Sequence, residues 1–348
     1  MPANDIAFSS RARGVPAPST DSLAPVAEIM RRCGAQCPVE EFHAAVNVTF
    51  HQFEAETYDE GHRDMWESLP LQFDLLVGDC LRGAADLPRE IRVLDVGCGT
   101  GLASDCLVRS PLGGRIREID LLDTCRAMLD RARRRAADWG VPVACHEGTL
   151  ETLRGERRYD LIVTCSVLHH VPDLAAFLRS VRGRQAAGGL FLHLQDPNGD
   201  ALNDPELRRR TAEAARRRLP EWLRRLEPRR VWGRIHRELT GRQGEDDVSR
   251  TNRELLRDGV VLRPLTVAEM FAITDIHVQD GQGISIAQMR RWLPDHDLVS
   301  LRTYAFWGQL RSLLSEPRKL VEDQLVAQQA LNGAQVGAAW KLARVAAE

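Results

Sequence analysis

The sequence predicts an α/β protein built on a doubly wound, mostly parallel sheet, and three observations support this. Short, β-branched apolar runs alternate with helical stretches between residues 91 and 196. Strands separated by helices of this length join through right-handed crossovers into a parallel sheet covered on both faces. The first run, IRVLDVG (91–97), is short, β-branched and mostly apolar and closes on a cluster of glycines, the pattern of a buried parallel strand. Hydrophobic residues make up 43% and charged residues 28% of the chain, which suffices for a sizeable core.

The elements follow in order. Residues 1–20 are rich in Ala, Pro and Ser and predict a tail; 22–37 predict a short helix ending near Gly34. Residues 39–85 are helical in pattern, with a break or new start at Pro70. After the first strand, 102–110 predict a helix, RIREIDLL (115–122) a strand, and 124–140 a helix closed by Gly140. VPVACHEG (141–148), YDLIVTCSVL (159–168) and GGLFLHLQD (188–196) are the third to fifth strands, with a helix over 174–185. The alternation then stops. Residues 199–265 are polar and helical, with Arg208, Arg209, Arg210, Arg216, Arg217, Arg218, Arg224 and Arg225 close together. A helix over 265–273, one or two closing strands within 296–310 and a return to helix over 316–347 complete the reading, with Asn332 and Gly333 as a helix interruption.

Composition excludes several classes. The 348 residues allow one large or two modest domains. The 47 Lys+Arg against 49 Asp+Glu give a net charge of -2, unlike a globally basic nucleic-acid binder. No apolar run is long enough to cross a membrane, and the N-terminus lacks the apolar centre of a secretory signal. Eight scattered cysteines predict reduced thiols in a cytoplasmic protein rather than a disulfide scaffold. Cys33 and Cys37 sit four apart without two further ligands nearby, so no metal site is expected there.

The segment Val93-Leu94-Asp95-Val96-Gly97-Cys98-Gly99-Thr100-Gly101 carries the chemistry. It follows a strand and opens a helix, the context in which glycines permit a tight turn and close approach to a ligand, and where helix N–H groups are free. With this loop, the chain resembles the class I S-adenosylmethionine-dependent methyltransferases over about residues 88–197. The resemblance implies a Rossmann-like seven-stranded sheet and S-adenosylmethionine as cofactor, with Gly97, Cys98, Gly99 and Gly101 cradling its methionine half and Asp95 organising the loop and the ammonium. It also implies a ribose-binding acid at the end of the second strand. Asp120 and Asp123 are the candidates, and Asp123 is preferred because it stands five residues before Met128-Leu129. A carboxylate suits a vicinal diol because it accepts two O–H bonds. The family's adenine-side acid is replaced by Thr149-Leu150, a departure that leaves that contact open. The family's His-x-Pro-Asp pattern corresponds to His170–Asp173 here, preceded by Cys165, whose backbone would lie against the methionine part. His170 then has a structural role or serves as a base. A dinucleotide-binding reading fits less well: its loop is G-x-G-x-x-G, and it lacks the downstream His-His-x-Pro-Asp.

Asn47, His51, Glu54, Tyr58 and His62 share one helix face if 43–62 is a single helix. Ala55-Tyr58-Asp59 resembles the lid of many small-molecule methyltransferases, in which the Tyr covers the cofactor. An aromatic face near a sulfonium is a cation–π contact. A solvated face is one competing reading; a metal set of His51, Glu54 and His62 is another. Gln195, Asp196 and Asn198 follow the fifth strand, at the edge where open α/β folds bind ligands. Tyr304 and Trp307 are core aromatics or pocket wall.

The domain plan is an N-terminal tail (1–38), a helical lid (39–86), an S-adenosylmethionine-binding core (87–198), a helical cap (199–264) and a C-terminal completion of the sheet (265–348). The expected activity is methyl transfer to N, O or C of a small metabolite, with Tyr58, His51 and His170 as candidate catalytic groups and no resident metal. Neither nucleic acid nor membrane is an expected partner; a homodimer is. Two alternatives stand beside it: an enzyme that cyclises the cofactor to azetidine-2-carboxylate and methylthioadenosine, and a non-catalytic binder of the cofactor.

Overall fold

The computed structural model describes residues 22–83, 87–216, 246–279 and 282–344. Its strands are β1 (Ile91–Val96), β2 (Ile116–Asp123), β3 (Val143–Glu147), β4 (Tyr159–Cys165), β5 (Gln185–Pro197), β6 (His296–Tyr304) and β7 (Gln335–Leu342). They form one sheet in the order β3-β2-β1-β4-β5-β7-β6. The first five run parallel, and β7 is antiparallel to both β5 and β6. The chain starts at β1, moves outward to β2 and β3, then returns to β4 on the other side. The strand order therefore reverses beside β1, and the crevice at the carboxyl ends of β1 and β4 is where such a sheet binds ligands.

Helices α1 (Ala24–Cys33), α2 (Val39–Glu54), α3 (Tyr58–Gly61) and α4 (Arg63–Gly83) precede the sheet. Gly34 ends α1 in a left-handed conformation, as its position predicts. Pro70 does not break the chain: it lies inside α4. The lost hydrogen bond and ring clash cost about 3 kcal/mol. Burial of Met65, Leu69, Phe73, Leu76, Val77 and Cys80 along the same helix offsets that cost.

One face of the sheet is covered by α4, α5 (Leu102–Arg109) and α6 (Arg126–Ala136), through Phe73, Leu107 and Leu129 against Val93, Ile119 and Leu161. The other is covered by α7 (Leu174–Arg184), whose Leu178 and Val181 meet Ile162 and Phe191. Of the insertion, α8 (Pro205–Arg216) and α9 (Asp247–Arg257) are described; Arg217, Arg218, Arg224 and Arg225 lie outside the described residues. Arg209 and Arg210 both engage Glu206 one turn away. Helix α10 (Val267–Thr274) begins with a reciprocal cap between Thr266 and Glu269. With α1, α2 and α9 it forms a separate apolar cluster that includes Val26, Phe42, Val46, Leu255 and Met270. The short helices α11 (Ile276–Gln279) and α12 (Ile286–Trp292) lead to β6.

The C-terminal expectation needs correction. Helix α13 (Glu316–Ala327) forms, but the helix does not continue: residues 335–342 are β7, inserted between β5 and β6, and Asn332-Gly333 belong to the loop that enters it. A strand buried on both faces has no polar alternation to betray it. Val336, Ala338 and Trp340 face one cluster, Ala339 faces the other, and Gly337 admits Leu194 to a close approach. Among the described residues, no helix is long and apolar enough to cross a membrane.

His193 on β5 is fully buried, both ring nitrogens lack a hydrogen-bond partner, and the nearest charge is Asp196 at 3.9 Å. Burial lowers its pKa to about 4. The unfolded chain binds that proton near pH 6.5, so stability falls as pH drops from 6.5 through 4, by roughly 3 kcal/mol for this group. His193→Leu should reduce the loss of stability between pH 7 and 4.5, measured by urea unfolding, by roughly 2 kcal/mol. An unchanged loss contradicts this account.

Candidate functional site: the carboxyl edge of β1, β2 and β4

Gly97, Gly99 and Gly101 all adopt positive φ, at 64°, 52° and 92°. They do so for different reasons. A Cβ on Gly97 would meet Val167 at 2.7 Å, and one on Gly101 would press on Trp139 and Ala132. A Cβ on Gly99 would meet nothing within 4 Å. Two glycines thus serve packing, and the third faces open space where a ligand can approach the backbone. The amides of Gly97 and Cys98 donate to the Leu122 carbonyl, which ties the loop to β2. Asp123 completes the tie: Oδ2 accepts from Gly99 N at 2.8 Å and Oδ1 from Cys125 N at 2.8 Å. Burial raises its pKa in spite of these bonds. Asp95 lies beneath the loop, fully buried. Its Oδ2 accepts from the amide and hydroxyl of Ser104, and Oδ1 has no partner. Burial lifts it to about 7. Asp120 points elsewhere, accepting from Tyr159 Oη at 2.6 Å and from Arg157. Of the two acids weighed, Asp123 is the one at the loop.

The polar stripe is not one helix. Helix α2 ends at Glu54, Thr57 N donates to Glu54 O in a tighter turn, and Tyr58 opens α3. The turn nevertheless gathers the same side chains. His51 Nε2 and His62 Nε2 lie 3.9 and 4.0 Å from the Glu54 carboxylate, and Tyr58 stacks on His62 at 4.2 Å. Asp59 reaches the glycine loop, accepting from Thr100 Oγ1 at 2.6 Å and Arg135 at 2.7 Å. Burial opposes its charge, but these two bonds hold its carboxyl below the usual range. Tyr58 packs with Ala55, Cys125 and Met128, beside Asp123 and Cys165. Its phenol is pushed up, first by burial and then by Glu54 and the other acids, so it keeps its proton.

Residues 93–189 match a family model described as a methyltransferase domain. The chain carries a class I methyltransferase domain. Similarity to individual proteins is likewise partial. A ubiquinone biosynthesis O-methyltransferase of Methylobacterium sp. (strain 4-46) is 37% identical over 103 residues, 29% of this chain and 39% of the relative. One from Xanthomonas axonopodis pv. citri (strain 306) is 32% identical over 155 residues, 42% and 63%. The chain thus spans about two fifths of the length of the first of these. Among solved structures, the plantazolicin methyltransferase BpumL in complex with SAH aligns over 92% of this chain and 99% of its own, at 9% identity and TM-score 0.46.

S-adenosylmethionine is the cofactor of this methyltransferase class, and the residues fit it. The space above Gly99, the carboxylate of Asp123 at the rim and the aromatic face of Tyr58 stand together. Cys98 is buried in the loop, and Cys165 ends β4 half-buried. On the adenine side, Leu150 is buried with Leu122 and Ile162, Thr149 is exposed, and Glu151 is directed to Ser180. No acid replaces the missing one there. Asn198 faces away from the crevice, donating to the carbonyls of Leu331 and Gly333. Tyr304 is buried with its hydroxyl on Gln195, and Trp307 is buried under Arg318.

Of the three candidate bases, Tyr58 retains its proton and His170 resists taking one. His170 is buried against His169 and His51, which holds its pKa well down, and its Nδ1 meets the Thr274 carbonyl at 2.6 Å. His51 Nδ1 likewise meets a backbone carbonyl, that of Asn47 at 2.8 Å, so Nδ1 carries the proton and Nε2 keeps its lone pair, here beside the Glu54 carboxylate. Thr100, Arg135 and Asp275 were not legible as site residues. Ser166 and Gln195 also sit at positive φ, 61° and 62°, at the ends of β4 and β5. Non-glycine residues so held concentrate at functional sites.

Asp59→Ala should loosen the turn from the loop. Amides of 55–62 should exchange faster, with a stability loss of about 1–2 kcal/mol from the bonds to Thr100 and Arg135. Equal exchange in both proteins would remove the latch from this picture.

Proposed function

We propose that the protein is an S-adenosylmethionine-dependent methyltransferase whose acceptor is a small molecule, methylated at N, O or C. The observation that carries this reading is the bond from Gly99 N to Asp123, at a loop whose middle glycine faces open space. Bound there, the cofactor supplies an already activated methyl group. The chain's residues then have alignment as their main task.

Asp123 has lone pairs beyond its two backbone bonds for the ribose hydroxyls, and the open backbone at Gly99 gives the amino-acid end room to approach the loop. Tyr58, kept neutral, offers its ring to the sulfonium without a competing negative charge. His51 Nε2 takes the proton of a protonated acceptor, and Glu54 at 3.9 Å steadies the imidazolium that results. Helix α2 shares one apolar cluster with α9 and α10 and ends at the residues that lead to Tyr58, and this packing beside the crevice supports an enclosed acceptor rather than a polymer. The relatives named for ubiquinone biosynthesis support an oxygen acceptor, although their similarity lies mainly in the cofactor half.

Calorimetry with S-adenosylhomocysteine tests the reading directly. Asp123→Ala should weaken binding at least about tenfold, the loss of roughly one charge-assisted hydrogen-bond pair. Gly99→Leu should abolish it while the protein stays folded by circular dichroism. Absence of heat with the wild-type chain would sink the proposal. His51→Ala should lower kcat with KM for the cofactor unchanged. Methylthioadenosine formed from the cofactor alone would instead favour the cyclising alternative.

A further inference from the structure

Just past the cofactor crevice, three side chains from two distant segments converge. One ligand atom each from His169, His170 and Asp275 lies within 4.8 Å of the others. Asp275 Oδ1 is 3.9 Å from His169 Nε2; its 3.4 Å approach to His170 is to Nδ1, the nitrogen turned to the Thr274 carbonyl, so His170 would ligate through Nε2. The two rings are tilted together at 4.0 Å. Two imidazoles and one carboxylate on one face, with the remaining positions open, is the ligand set of non-haem iron and of catalytic zinc sites.

The surroundings of each imidazole matter more than the distances. His169 Nδ1 lies 2.9 Å from Asp196 Oδ1, and the same oxygen accepts the His169 amide. Asp196 is fully buried. That bond puts the His169 proton on Nδ1 and leaves Nε2, the atom facing Asp275, as a bare lone pair. A carboxylate behind a histidine in this way orients the ring and raises its basicity toward a metal. His170 has the same support from a backbone carbonyl: Nδ1 donates to Thr274 O, which leaves Nε2 bare. A buried imidazole needs an acceptor for its N–H whatever its role, so these two bonds fix the tautomers and leave one nitrogen of each ring as a lone pair. What packing does not explain is a carboxylate brought against two imidazoles beside a third, His51, whose ring meets His170 at 5.5 Å.

The geometry points to a divalent transition-metal site, formed by His169, His170 and Asp275 and supported by Asp196, that takes Zn2+ or Fe2+ and presents it to the acceptor. The acceptor class this favours is a small molecule with an oxygen able to ligate the ion, such as a phenol or hydroxy acid. His169, His170 and Asp275 would hold the ion, which would supply Lewis acidity to that oxygen; His51 Nε2 would take the O–H proton, and the oxygen would form its bond to the methyl carbon as the carbon–sulfur bond breaks with its electron pair left on sulfur. This assignment of acceptor rests on the proposed methyltransferase reading, whereas the metal site itself does not.

The test uses the untagged full-length chain, stripped with a chelator and dialysed. Titration with Zn2+, followed by elemental analysis, should give one tightly held ion per chain, and Co2+ should give visible absorption with nitrogen ligation. Asp275→Asn and His170→Gln should each abolish stoichiometric retention. Asp196→Asn should weaken it by about 10- to 100-fold, the effect of removing a supporting partner. Cys145→Ser, which changes an exposed thiol, should leave it intact. S-adenosylhomocysteine binding is measured on the same samples. Metal lost with that binding kept supports the site; metal bound without any nucleoside binding keeps the site and removes the methyltransferase reading. A wild-type chain that retains no Zn2+ or Co2+ at micromolar concentration, or Asp275→Asn and His170→Gln chains that retain as much as wild type, overturns the proposal.

Discussion

The bond between the Asp123 carboxylate and the Gly99 amide is the interaction on which the rest of the site depends. A loop of three glycines in left-handed conformations has no side-chain packing of its own to define its shape. The fixed points come from β2: the Leu122 carbonyl holds two loop amides and Asp123 holds a third. Because β1 and β2 are in parallel register, with Val96 opposite Leu122, these acceptors arrive at the right height without any further device. The sheet thereby converts strand register into a ligand-binding shape. Asp95, buried under the loop on Ser104, fixes the start of α5 by the same logic.

From that fixed loop the rest of the crevice is assembled by contact. Thr100, inside the glycine segment, donates to Asp59, and Arg135 on α6 joins both partners. The lid turn is therefore bonded to the loop it covers. Asp59 is thus one hydrogen bond from the glycine segment, through Thr100. The lid in turn sits on α9 and α10 through Phe42, Val46, Leu255 and Met270, which links the cap to the cofactor side through apolar contact rather than through charge.

Much of this architecture was legible because it is local. The central strands β1, β4 and β5 are largely apolar runs bounded by glycine or polar turn signals, and the glycine loop identifies itself by standing between a strand and a helix. Where the reading failed, non-local packing decided. Pro70 stays in α4 because six buried side chains outweigh one lost hydrogen bond. The last strand, with Ala, Gly and Trp between two neighbours, has neither polar alternation nor a β-branched run, so its strand character exists only in the sheet it completes. The site divides in the same way. Asp123 and Tyr58 could be picked out because the resemblance to the methyltransferase family points to their positions. Asp59 with Thr100 and Arg135, or Asp275 with His169, could not, because those pairs are 41, 76 and about a hundred residues apart and meet only after the crossovers are made.

The electrostatics of the crevice fit the charge flow of the proposed reaction. Methyl transfer to an oxygen or nitrogen discharges the sulfonium, so the transition state carries less positive charge at sulfur than the ground state. A carboxylate pressed on the sulfonium would stabilise the ground state more and slow the reaction. The Tyr58 phenol is kept neutral by burial and by the acids around it, and the imidazole of His170 is kept neutral as well. On the proposed reading, Asp123 would bind the sugar hydroxyls and Asp275 a cation beside the imidazoles, while the Tyr58 ring itself would bring no charge to the sulfonium.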